Sequence, residues 1–128
     1  MKVSTEGPKR FDIGSRMSQA AVWNDTVYLA GQVAADASAD TLGQMRQVLA
    51  AVDALLAQAG SDKRCILMTQ IFIADLKDFT AMNEAWDAWV VPGHAPPRAT
   101  VQAKLMSPEW KVEVVVTAAV MESEDGRK

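Results

Sequence analysis

The chain has 128 residues, 49% of them hydrophobic and 23% charged, with a formal net charge of −3. One domain with one sizeable core fits that length, and the composition excludes a disordered chain. The negative charge and a pI of about 5.1 give a polyanion or an anionic membrane surface no long-range attraction, so neither nucleic acid nor a membrane is expected as a partner. No apolar run approaches the roughly 18–20 residues of a spanning helix. The first residues, Met1 to Glu6, lack the apolar stretch of a secretory signal, so a cytoplasmic protein is expected. With one cysteine, Cys65, and one histidine, His94, neither an internal disulfide nor a bound metal is expected, and no cofactor motif is present.

The whole chain, 1–128, reads as a single domain with residues 1–13 and 122–128 peripheral. Gly7-Pro8 and Gly14-Ser15 read as turns, with a short strand possible around Phe11 to Ile13. Ser18 to Trp23 and Thr26 to Val33 are β-type runs on either side of Asn24-Asp25, a hairpin signal. After a small polar loop, Thr41 is expected to cap a helix, with Gln44 completing a capping box. Leu42, Met45, Val48, Leu49, Val52, Leu55, Leu56 and Ala59 then form one apolar stripe, ended by Gly60.

Arg64 to Ala74 reads as a strand. Asp78 is expected to cap a second helix, Phe79 to Val91, with Phe79, Met82, Trp86, Trp89 and Val90 on one side; Pro92-Gly93 stops it. His94-Ala95-Pro96-Pro97 is stiff and extended because each proline fixes its own φ and restricts its predecessor. Arg98 to Leu105 and Lys111 to Val120 are two further strands, and the tail from Glu122 to Lys128 is expected to fray.

The order is ββαβαββ, an α/β sandwich. Two helices cover one face of a sheet, so the other face should be polar in a monomer. In the last strand, however, Val112, Val114, Val116 and Ala118 alternate with Glu113, Val115, Thr117 and Ala119. In the middle strand Ile66, Met68 and Phe72 oppose Leu67, Ile71 and Ile73. Both faces are mostly apolar, and further copies of the chain are expected to cover the second.

Little else suggests chemistry. His94 and Cys65 read as a solvated loop residue and a small buried apolar residue, and the four tryptophans fall at core spacing. Two residues stand out. Arg98 opens a strand after two prolines, where a guanidinium is well placed to hold a carboxylate by two parallel hydrogen bonds, or to make a surface ion pair. Glu113 interrupts an apolar strand, either as a solvated edge residue or as an acid/base group kept in a cleft.

The ordered set Ser18-Gln19-Ala20, Val27 to Gln32, Asp75 to Phe79 with Met82-Asn83-Glu84, Pro97 to Val101 and Lys111 to Val114 resembles the RidA/YjgF family, also called L-PSP endoribonucleases or reactive-intermediate deaminases. The resemblance runs from about residue 14 to 121. It implies a chorismate-mutase-like fold, two helices on one mixed sheet, assembled as a homotrimeric barrel with clefts between subunits. It implies hydrolysis of 2-imino acids, such as 2-iminobutanoate and 2-iminopropanoate, to 2-keto acids and ammonia, without cofactor. In this sequence Arg98 would bind the substrate carboxylate, aided by the backbone amide at Thr100. Glu113 would orient or activate water, and Ala30, Gly31 and Met17 would line the cleft. Active members usually have tyrosine where Met17 stands and often serine where Ala30 stands. Those two changes, and Leu105-Met106-Ser107-Pro108 in place of Leu-Pro, set the chain apart within the family. The alternative is a trimer that binds a small carboxylate without turning it over, and, further off, an endoribonuclease.

Overall fold

A computed structural model describes residues 7–121. Residues Met1 to Glu6, and the charged tail from Glu122 that was expected to fray, lie outside the described residues. Six strands, β1 (Lys9–Ile13), β2 (Ser18–Trp23), β3 (Thr26–Leu29), β4 (Ile66–Ile73), β5 (Arg98–Gln102) and β6 (Val112–Ala119), form one mixed sheet. Its order is β1-β2-β3-β6-β4-β5. Helices α1 (Thr41–Gln58) and α2 (Phe79–Trp89) join β3 to β4 and β4 to β5. Only β4 and β5 are parallel neighbours; β6 is inserted antiparallel between β3 and β4. Both helical crossovers step in the same direction across the sheet, so right-handed connections put both helices on one face. Among the described residues no helix is long and apolar enough to cross a membrane.

The hairpin closes through Asn24 and Asp25 with φ of 52° and 66°, pairing Trp23 with Thr26. Positive φ at both central residues gives the turn twist that suits a two-residue hairpin, and Asn and Asp tolerate it better than other non-glycine residues. Gly60 ends α1 with φ of 83°, the left-handed conformation that a side chain would disfavour.

The start of α1 differs from the expected capping box. Asp40 is the N-cap: its carboxylate accepts from Gly43 N at 2.9 Å. Thr41 is already helical and buried. Gln44, with no exposed surface, does not reach back to the cap. Its amide group donates to the carbonyls of Ala37, Ala39 and Glu109 at 3.0–3.1 Å, and its oxygen accepts from Lys111 N at 2.9 Å. The side chain thus ties two loops to α1. Asp78 precedes α2 but makes no side-chain cap. A 3-10 turn, Leu76–Asp78, runs straight into the helix, so the free N–H groups lie one turn earlier and Asp75 accepts from Lys77 N at 3.0 Å. The second 3-10 turn, Lys63–Cys65, is held by Asp62. Its carboxylate takes hydrogen bonds from the Arg64 guanidinium and backbone, which hold its pKa below the ordinary carboxylate value.

Met45, Val48, Val52 and Leu56 of α1 and Met82 of α2 pack, fully buried, on Val112, Val114 and Val116 of β6 and Ile71 and Ile73 of β4. Each such side chain contributes about 1.5–3 kcal/mol by leaving water. A bulge in β4 corrects the expected alternation. Ile66 pairs with Ala118 and Met68 with Thr117, so Leu67 is the extra residue. Ile66 is therefore turned into the core with Ile71 and Ile73, while Leu67 is 52% exposed. The face opposite the helices carries Tyr28, Met68 and Val101, each 43–49% exposed, with Phe72 and Val115 half-buried between them. The expected two-sided apolar sheet is present.

Replacing Gln44 by Ala strands the Lys111 N–H and removes the donors to three carbonyls. Unsatisfied groups of this kind cost about 1–3 kcal/mol, and urea unfolding should show that loss in the Gln44→Ala variant as a lower midpoint.

Candidate active site

Arg98 is the first residue of β5, an edge strand. In the parallel ladder Thr69 N donates to Pro97 O at 3.0 Å and Ala103 N to Ile73 O at 3.0 Å. Odd-numbered residues of β5 therefore bond to β4, and the backbone groups of Arg98, Thr100 and Gln102 face the free edge. The amide at Thr100 is thus left unpaired by β4 at the edge of the sheet. Arg98 is in register with Thr69, which is fully buried on the helix side. Its guanidinium carbon lies 5.1 Å from the centre of the Trp86 ring of α2. It makes no ion pair: among the described residues the one salt bridge joins Arg64 to Asp62. Arg98 Nη1, Thr69 Oγ1, Thr100 Oγ1 and Asn83 Oδ1 are buried without hydrogen-bond partners.

Glu113 lies two strands away. It is in register with Phe72 of β4, while its neighbours Val112 and Val114 are buried in the core. Pleat alternation therefore turns Glu113 to the open face. Its carboxylate lies over Gly31, in the space a Cβ there would occupy. Ala30 and Gly31 fall just after β3, between Leu29 and a single bridge from Gln32 to Val114. Sequence reasoning gave Gln32 no role, yet its Nε2 donates to Gln19 Oε1 at 2.9 Å and Ala30 O at 3.0 Å, holding this segment in place. A glutamine directly after the glycine of a β run was the available signal. Met17, half exposed, lines a groove of about 390 Å³ with Arg10, Arg16 and Tyr28.

The predicted residues thus form two groups. Gly31, Glu113 and Ala30 gather at the middle of the sheet, near the Met17 end of β2. Arg98 and Thr100 occupy the far edge. One protomer does not bring Arg98 and Glu113 together: they project from opposite faces, and their strands are separated by two ladder spacings, roughly 10 Å. Arg98 and Glu113 also lie outside grooves of about 260 and 510 Å³ elsewhere on the surface.

This six-stranded arrangement defines a known class. The profile of the family described as "Endoribonuclease L-PSP" matches residues 8–120. The RutC family protein YoaB of Escherichia coli (strain K12) is 50% identical over 111 residues, covering 87% of this chain and 96% of that protein. A YjgF-family protein from Neisseria meningitidis has the same fold, with a TM-score of 0.89 at 38% identity over 91% of this chain and 98% of that one. The 2-iminobutanoate/2-iminopropanoate deaminase of Rattus norvegicus is 28% identical over 107 residues, 79% of this chain and 77% of that protein. The chain belongs to the L-PSP, or RidA/YjgF, family, with its two helices on a mixed six-stranded sheet.

The contact between Gly31 and Glu113 is open to test. In Gly31→Ala the added methyl meets the flexible end of Glu113 rather than backbone, so the fold should survive with the carboxylate swung away. A crystal structure of the variant with Glu113 unmoved would contradict the assigned packing.

Proposed function

We propose that the protein hydrolyses small 2-imino acids to 2-keto acids and ammonia, in sites formed between neighbouring protomers of a homotrimer. The observation that carries the reading is the state of Arg98. It is a half-buried guanidinium with no acidic partner, at a free strand edge where the Thr100 amide also points outward. Two parallel N–H groups and a nearby amide suit a carboxylate. The apolar open face, with Tyr28, Met68 and Val101 uncovered, supports assembly with further copies. Arg98 and Glu113 occupy opposite faces, so in this reading Arg98 of one protomer works with Glu113 of another. The relationship to the rat deaminase supports the reaction class.

In the reaction Arg98 fixes the substrate carboxylate and so sets the imine carbon near a water held by Glu113. Glu113 takes a proton from that water as its oxygen bonds to the carbon and the C=N electron pair moves to nitrogen. Glu113 passes that proton on to the nitrogen. A second proton, from the hydroxyl of the resulting carbinolamine, follows the same way as the C–N bond breaks, so that ammonia leaves and the keto acid remains. Positioning supplies much of the rate gain, because the imine is already reactive. The chemistry uses no cofactor or metal, and the reading sets the protein in the cytoplasm, where such imines and enamines are released.

A second reading keeps the carboxylate site without turnover. Met17 and Ala30 favour it, since neither brings a hydroxyl to the segment beside Glu113. Ammonia release from imines generated in situ separates the two.

A lost charge-assisted hydrogen bond costs about 1.5–3 kcal/mol. Arg98→Ala should therefore weaken 2-ketobutyrate binding by roughly 10–100-fold in calorimetric titration. Glu113→Gln should bind as wild type does but release ammonia slowly. Unaltered binding in the first variant removes Arg98 from the site; unaltered turnover in the second assigns the water elsewhere.

A further inference from the structure

A cation poised to receive a carboxylate presents a difficulty. Anything that fixes its orientation by hydrogen bonding takes up N–H groups the ligand needs, and a carboxylate neighbour would compete with the ligand outright. Around Arg98 the polar side chains that could have bonded to it do not. Thr69 is its register partner, Thr100 lies two residues further along the same face, and Asn83 sits one helical turn before Trp86. All three oxygens are without partners, as is Arg98 Nη1. What the guanidinium does touch is the Trp86 ring, at 5.1 Å from its centre.

We propose that Trp86 is the positioning residue of Arg98. The π face of an indole attracts a guanidinium through its quadrupole and confines it without consuming a hydrogen-bond donor. The N–H fork then stays whole for the incoming carboxylate. The indole can serve this way because it is itself held. Trp86 is only 6% exposed, and its ring is tilted at 48° against Trp89, 5.4 Å between centres. Trp89 in turn donates its indole N–H to Asp53 of α1 at 3.0 Å. Lys63 covers its ring and donates to its carbonyl. A line of contacts from α1 through α2 thus ends under the guanidinium. Its use in catalysis rests on the imine-hydrolysis reading; the orientation of Arg98 does not.

Two measurements keep these apart. In protein labelled with [15N]arginine, the Arg98 Nε–H proton, assigned by its disappearance in Arg98→Lys, should lie upfield in wild type because of the indole ring current. It should move downfield in Trp86→Leu and stay near wild type in Trp86→Phe, which keeps a ring and serves if the leucine variant folds poorly. In steady-state kinetics on 2-iminobutanoate, Trp86→Leu should raise KM about 3–30-fold with kcat within about twofold, and Trp86→Phe should recover most of the loss. An Arg98 signal at the free-arginine position in wild type, or one that Trp86→Leu leaves in place, overturns the proposal whatever the activity. So does a Trp86→Leu variant that loses kcat and keeps KM. A wild-type protein that shows the shift, yet neither binds 2-ketobutyrate nor deaminates imines, upholds Trp86 as the support of Arg98 and overturns the reaction instead.

Discussion

The alternation of side chains across a pleated sheet governs the whole account. Arg98 is in register with Thr69, and Glu113 with Phe72. Thr69 and Phe72 stand an odd number of residues apart on one strand, so whatever pairs with them faces opposite ways. No rotamer change within a protomer undoes that. The two charged groups can share a substrate only if the β5 edge of one chain meets the open face of another. The same open face carries the uncovered Tyr28, Met68 and Val101, so the burial that would drive assembly and the chemistry that would need it point to one arrangement.

Each half of the proposed site is held by packing rather than by local charge. Gly31 leaves room for the Glu113 carboxylate, and the bonds from Gln32 to Gln19 and Ala30 keep that room in place. On the other side the indole stack of α2 supports the guanidinium.

Much of this was legible beforehand because the signals are local. Asn24-Asp25 encodes its own turn, Gly60 its own helix end, and the two-sided apolar character of β6 is visible in its alternation. What escaped depends on contacts distant in sequence. The Leu67 bulge exists only relative to β6, so counting alternate residues from Ile66 assigned that side chain to the wrong face. Gln44 looked like a capping residue because nothing near it reveals that Glu109 and Lys111 will arrive beside it. Thr41 was expected to cap the helix, and Asp40 takes that place because Gly43 N comes to rest beside its carboxylate. Arg98 and Glu113 were singled out by residue type and neighbours, but that they face apart required the register of β4 with both of its partners.

Subunit mixing tests the shared site most directly. Arg98→Ala and Glu113→Gln proteins, each impaired alone, are unfolded together, refolded as mixed oligomers and assayed for ammonia release from 2-iminobutanoate at a concentration where both parents are slow. A site built from two chains predicts that the mixture regains a substantial fraction of wild-type activity, since some interfaces then pair an intact Arg98 with an intact Glu113. Mixed oligomers verified by mass that are no more active than the parents would place both residues' work within one chain, contrary to the geometry described.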